Sequence, residues 1–286
     1  MNKTIVTCDS TIAILPEMAK KYDLKVLPLN VIVDNIEYHD GVDINYLELA
    51  KMMREGHIVK TSTPTPYEIE NFFDKLFEEG YEKIVHFTIS SKLSSMFDLF
   101  TNACRNKYSD KVVIVDSLSV MSFMLTSVLT AKKLIEKDEM PINEALEIVK
   151  KNIGDFDVTF IPESLTYLKR GGRINPAIAF FGNLIGLKPV LGFKDGAITK
   201  IGTTRNVKIT LKETVIRLAE IKKDPEIYKV SIAAVDTNPA LIEFIEKLIK
   251  EYLSEYEYSI NGFSVNVEAH TGPGTIALIL ERKPGK

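Results

Sequence analysis

The sequence predicts an α/β fold built from two α/β domains. Three observations carry this. Short apolar runs alternate with stretches of helical period, the unit of strand, polar loop and helix recurs four times in the first half, and a second such unit begins at Val158. At 286 residues the chain also exceeds the roughly 100 to 200 residues usual for one domain. The alternation describes a mainly parallel sheet flanked by helices, in which ligand sites gather in loops at the carboxyl ends of the strands. The boundary is expected at Gly154, separating an N-terminal domain, 1–156, from a C-terminal domain, 157–286.

Lys3–Cys8 reads as the first strand, stopped by Asp9-Ser10-Thr11, whose short polar side chains suit a helix cap. Leu24–Val33 reads as one extended segment, because Pro28 disfavours helix and the residues are β-rich. Glu37–Asp43 reads as a polar turn and Tyr46–Arg54 as a helix. Val59–Pro66 crowds hydroxyls and prolines before the helical stretch Glu68–Phe77, with Pro66 placed for a first helical turn and Thr63 or Thr65 as its cap. Lys83–Ile89 and Lys111–Val115 read as strands, leading respectively to a helix ending near Lys107 and a long apolar helix over Ser119–Glu136. A helix over Pro141–Lys151 closes the first domain. In the second, strands are expected at Val158–Ile161, Val230–Val235, near Phe263–Val267 and at Ile276–Leu280, with helices at Thr210–Ile221 and Pro239–Tyr252.

Composition excludes several classes. With 45% hydrophobic and 26% charged residues and no low-complexity tract, the chain is neither disordered nor a repeat solenoid. A net charge of −3 gives no general attraction to nucleic acid. Two cysteines, Cys8 and Cys104, cannot make a disulfide framework, and the start lacks the apolar stretch of a signal peptide, so a cytosolic protein is expected. Ile174–Leu187 is shorter than the roughly 20 residues of a membrane-spanning helix.

Hydroxyl clusters at 61–65, 90–95 and 116–117 fall at predicted strand ends. Each is an ordinary helix or turn cap taken alone, but three on one sheet edge suit an anionic or carbonyl head group. His270, before Gly272-Pro273-Gly274, is either a donor to a carboxylate or phosphate or a structural histidine. His39 and His86 lack partners at metal-like spacing, and no metal is expected. Catalytic patterns fail: Cys8 is followed six positions on by Ile14 rather than Arg, and no Gly-x-Ser-x-Gly elbow, Walker loop or Gly-x-Gly-x-x-Gly is present.

Between Glu163 and Arg205 lie seven Lys or Arg against two Asp or Glu, so positive charge collects beside the greasy run Ile174–Leu187. Leu165 and Leu168 mark a short helix whose last turn carries Lys169 and Arg170, stopped by Gly171-Gly172 with a left-handed cap. Ile174–Leu187, apolar on all faces, is either buried core or the lining of a slot for a long apolar ligand. Met121, Phe123, Met124 and Leu125 would make a compatible wall.

Eight motifs in series resemble the DegV family, the fatty-acid-binding subunits of bacterial fatty acid kinase. They are Asp9-Ser10, Tyr38–Asp43, Thr61-Ser62-Thr63-Pro64, Ile89–Ser94, Val115-Asp116-Ser117, Leu165–Ile174, Lys188-Pro189 and His270–Gly274. The resemblance implies a long-chain fatty acid held between two α/β domains. Its carboxylate would be bound by Thr61, Ser62, Ser91 or Ser94, His270 and Thr271, with Arg205 nearby, and Ile174, Ile178, Phe181, Met121 and Met124 would line the acyl chain. It further implies that the chain does no chemistry and needs no cofactor. It presents the acid to a separate kinase subunit, which holds ATP and makes an acyl-phosphate for an acyltransferase of phospholipid synthesis; transient membrane contact fits such a role. Arg170 and Arg173 would be partner-docking residues. Two departures from the family pattern stand out: Leu93-Ser94-Ser95-Met96 replaces Leu-Ser-Gly-Thr, and Phe123 and Leu125 stand where small glycines are usual. Two other readings remain, a hydrolase or acyltransferase using Ser91, Ser94 or Cys8 with His270, and a regulatory module that only senses lipid.

Overall fold

A computed structural model describes residues 3–174 and 186–286. The fold is mixed α/β, a parallel sheet flanked by helices joined to a larger, mostly antiparallel sheet. In the parallel sheet the order is β2-β1-β6-β7, where β1 is Thr4–Asp9, β2 Lys25–Leu27, β6 Lys83–Thr88 and β7 Val112–Asp116. Such a sheet is covered on both faces, and β1 accordingly carries Ile5 toward one buried cluster and Val6 and Cys8 toward another.

The extended segment expected over Leu24–Val33 is two strands. Pro28, with no N–H to give a ladder, separates β2 from β3 (Asn30–Val33), which joins a different, three-stranded antiparallel sheet of order β4-β3-β5. The other two strands, β4 (Ile36–His39) and β5 (Val59–Ser62), lie where the sequence was read as loop. Asp34 and Asn35 connect β3 to β4 with φ of 48° and 71°, the left-handed pair of a tight hairpin.

The remaining sheet has six strands in the order β10-β9-β8-β13-β11-β12, antiparallel except for β11 with β12. They are β8 Phe156–Ile161, β9 Lys188–Lys194, β10 Ala197–Thr204, β11 Tyr228–Ala234, β12 Tyr258–Asn261 and β13 Ile276–Arg282. Alternation puts Val158 and Phe160 of β8 and Ala277 and Ile279 of β13 into the cluster shared with the parallel sheet. Ile161, Ile276 and Leu278 face the opposite way, under the helices Val207–Ile221 and Pro239–Tyr252.

The strand expected near Phe263–Val267 is instead the start of a helix, Val265–Thr271. Phe-Ser-Val-Asn-Val alternates like a strand, but the helix is capped from elsewhere. Ser264 Oγ accepts from Val267 N, and the buried carboxylate of Asp40 accepts from the N–H groups of Val265 and Asn266 and from the hydroxyls of Ser264 and Ser10. Asp40 thus fastens the end of β4 to a helix more than 220 residues later. A second tie is Ser90 Oγ, which donates to Gly196 O at 2.6 Å in the β9–β10 turn. Gly196 has φ +81°, and a Cβ there would fall 2.6 Å from Ser90 Oγ.

Among the described residues no helix is long and apolar enough to cross a membrane.

Candidate functional site

Between the parallel sheet and the inner face of the six-stranded sheet lies a cavity of about 160 Å³. Its walls follow from strand alternation and helix phase: Val158, Phe160, Ala277 and Ile279 from one side, Met96, Met121 and Phe123 from the other. Met121 sits at the start of its helix with φ +59°, a conformation costly for a side chain with a Cβ, and it is held there as part of the wall.

One end is polar. Thr61, Ser62 and Thr63 arrive on the end of β5, Ser94 from the loop after β6, and Asn266, His270 and Thr271 from the helix that Asp40 caps. Thr63 is exposed, so this end reaches solvent. Thr61 Oγ1 and His270 Nε2 lie 2.9 Å apart. Burial, aided by the Arg173 charge, lowers the His270 pKa to about 4, so the imidazole is neutral at pH 7. An anion entering here exchanges the single Thr61–His270 bond for two, one from the hydroxyl and one from Nε2–H. His270 Nδ1 is buried without a partner among the described residues, packed against Gly171.

Arg173 completes this end. Half-buried, it donates from Nε to Leu93 O at 3.1 Å and from Nη1 to Gly171 O, and burial lowers its pKa. Among the described residues it has no carboxylate in ion-pair range. A guanidinium whose partners among the described residues are carbonyls leaves positive charge for a ligand anion to neutralise. The cavity is therefore amphipathic: a long apolar body ending in a cation, an imidazole and hydroxyls.

A sequence model described as "Uncharacterised protein, DegV family" matches residues 3–283. The chain belongs to the DegV family. A DegV domain-containing protein of Listeria innocua is 29% identical over 97% of this chain and 98% of its own. Among solved structures, the DegV family protein of Thermus thermophilus, described for its fatty acid binding, is 25% identical with a TM-score of 0.86, covering 98% of this chain and all of that one. A protein of Eubacterium ventriosum, described as stearic-acid-binding, is 26% identical with a TM-score of 0.86 and covers 99% of each chain.

Against this DegV fold, the expected site residues divide. Thr61, Ser62, Ser94, His270, Thr271 and Met121 all line the one cavity. Ser91 does not; its backbone N–H donates to Asp116, which also takes Leu118 N–H, so Asp116 closes local loops. Ser117 and Ser119 bond each other's carbonyls in a tight turn, the capping role rather than a ligand one. Arg205 is exposed and away from the cavity wall. Met124 is fully buried on the far face of its helix, among Val6, Cys8 and Phe87. Ile174 is buried in the shared core without lining the cavity, and Ile178 and Phe181 lie outside the described residues. Arg170 is exposed, whereas Arg173 stands in the cavity wall rather than on an outer rim.

Sequence reasoning missed Phe193, whose strand was not read, Asn266, whose helix was read as a strand, and Phe160, whose strand was read but whose facing into the cavity comes from packing between the sheets. It also missed that Glu37, His39 and Glu68 bring ligating atoms within 4.8 Å of one another. Glu68 is engaged there as the partner of Thr65 in a capping box, and His39 Nδ1 bonds Asp43 at 2.9 Å. His86 is structural, stacked on Phe100 and bonded to Thr7, with burial pushing its pKa down to about 3. Cys8 is buried with its thiol pKa raised, unlike a nucleophile.

Proposed function

We propose that this DegV protein binds a long-chain fatty acid, its acyl chain in the apolar cavity and its carboxylate at Thr61, Ser62, Ser94, His270, Thr271 and Arg173. The observation that carries the reading is the Arg173 guanidinium, without a carboxylate partner among the described residues, beside the Thr61–His270 pair at the end of an otherwise apolar cavity. The stearic-acid binding described for the Eubacterium ventriosum relative supports the same ligand class. The walls suit saturated or monounsaturated tails, because Met96 and Met121 adapt to a flexible chain.

The finer part of the proposal is that the chain is a carrier in the cytoplasm and not an enzyme. It presents the carboxylate to a separate kinase subunit, which supplies ATP, and the acyl-phosphate passes to an acyltransferase. What supports it is the absence of catalytic motifs in the sequence together with the exposed Thr63 at the polar end, through which an outside enzyme can reach the carboxylate. Arg170, exposed on the same short helix turn that leads to Arg173, is the residue proposed to meet that partner.

The test is native mass spectrometry and lipid extraction of the purified protein, followed by titration with a labelled fatty acid. A retained acid or saturable binding is expected. Neither would remove the ligand reading, and acyl-phosphate formation with the kinase and ATP tests the carrier role separately. A Ser/His hydrolase is disfavoured by geometry, since the side chain bonded to His270 is Thr61, a cavity-wall hydroxyl, and Ser91 is outside the cavity.

A further inference from the structure

Phe123 also lines a second, much smaller hollow of about 20 Å³ on its other side. The ring is a wall one side chain thick. It is held in place by stacking on Phe156, with centroids 4.1 Å apart and planes at 28°, and by Phe193 at 5.4 Å. Phe156 lines the smaller chamber and Phe193 the larger, so the three rings form a septum between them.

We infer that Phe123 sets the maximum acyl length by stopping the tail at this septum, and that removing its ring would join the small hollow behind it to the cavity. This rests on the fatty-acid reading above. The hollow is polar, with Glu281 Oε2 buried and unpaired among the described residues, but its hydroxyls are already satisfied. Ser119 Oγ donates to Ser117 O, Thr126 Oγ1 to Arg282 O, Ser127 Oγ to Phe123 O and Thr130 Oγ1 to Thr126 O. A methyl-terminated tail entering there would strand none of those donors. Its far wall carries Asp155 and Arg282, already ion-paired at 3.0 Å, which marks where a longer tail would in turn be stopped. The septum is also internal to one helix and one sheet, on residues that do not reach the polar end, so chain length is set separately from carboxylate recognition.

The experiment measures dissociation constants for saturated fatty acids from twelve to twenty carbons, with wild type and with Phe123→Ala. Wild-type affinity should rise with length and then stop or fall. In Phe123→Ala the break should move to longer acids, each further buried methylene adding roughly fourfold in affinity. Acids short of the wild-type limit lose any contact with the ring and should bind no tighter than to wild type, so a gain is confined to longer acids. Phe123→Leu, a milder truncation read beside the thermal transition of each variant, gives a partial shift and covers the case in which Phe123→Ala fails to fold. An unmoved break in folded variants overturns the septum while leaving fatty-acid binding intact. No binding of any acid by wild type overturns the fatty-acid reading and the septum with it.

Discussion

Gly171 lies flat against the imidazole of His270: a Cβ placed on Gly171 would sit 2.1 Å from Nδ1 and 2.9 Å from Cε1. The neighbouring Gly172 has φ +69° and open space around it, so the two glycines answer different needs, one for close approach and one for chain direction. Because Gly171 has an ordinary helical φ of −74°, alanine fits its backbone and only the ring must move. Gly171→Ala is expected to fold and to bind a fatty acid more weakly by about 1 to 3 kcal/mol, the range for a hydrogen bond to a charged group. Calorimetric titration checks this; unchanged affinity would mean that the ring position is immaterial.

Removing the imidazole should do at least as much. His270→Ala is expected to weaken carboxylate binding by about 1 to 3 kcal/mol, with Thr61→Val acting through the same pair and therefore less than additively. A double-mutant cycle on affinity reads the coupling directly.

Arg173 and Arg170 separate binding from docking. Arg173→Ala should weaken binding of a fatty acid by about 2 kcal/mol or more but leave a fatty alcohol unaffected, since only the acid carries the charge it faces. Arg170→Ala, on an exposed side chain, should leave both affinities unchanged and slow acyl-phosphate formation in the presence of the kinase. Loss of acid binding in Arg170→Ala would reverse these assignments.

Glu268 gives the protein a pH-dependent stability. Buried with both oxygens unpaired among the described residues, it is pushed up to about 9 by burial first, with Asp236 and Asp40 adding. The unfolded chain gives up that proton in the ordinary carboxylate range. The stabilisation is therefore complete below that range and is lost as pH rises, until it is gone above about pH 9. Asp9, raised to about 6 by burial, acts with the same sign over a narrower window. His86 and His270, held to about 3 and about 4, act oppositely, costing stability as pH falls below the ordinary imidazole range. Glu268→Gln should therefore gain on wild type as pH rises toward 9, measured by chemical denaturation; parallel pH profiles would place the proton elsewhere.

Asp40→Ala should destabilise the protein by about 2 to 4 kcal/mol, because four donors lose their acceptor at once in a buried place. Circular dichroism melts give the size, and an accompanying loss of fatty-acid affinity would reflect the displaced His270 helix.

The parallel sheet was legible because β1, β6 and β7 are continuous apolar runs followed at once by polar caps, a local signal. The three-stranded sheet was not, because β4 and β5 are short, polar and half-exposed, so their strand character comes from pairing with β3 and not from their own composition. The helix at Val265–Thr271 was misread for a related reason: beside the local cap Ser264, the acceptor for its first two N–H groups is Asp40, invisible to any local window. The same limit explains the site. Hydroxyls at the ends of β5 and β6 could be named from their neighbours in sequence, but which of them share one cavity depended on packing between sheets, which kept Ser94 and excluded Ser91. Arg173 was read from its place at an exposed helix end, and its turn inward toward Leu93 O is a tertiary contact.

The bond from Asp40 to the start of the Val265–Thr271 helix has a consequence for inheritance. The first part of the chain supplies Thr61, the last part supplies His270, and the carboxylate between them fixes how they meet. Recombination that swaps one half between relatives would have to carry a matching Asp40–Ser264 seam to leave the pocket intact. Crossovers are thus expected to succeed between relatives that share this seam and to fail between those that do not, so the pocket travels as a single heritable unit although neither half contains it.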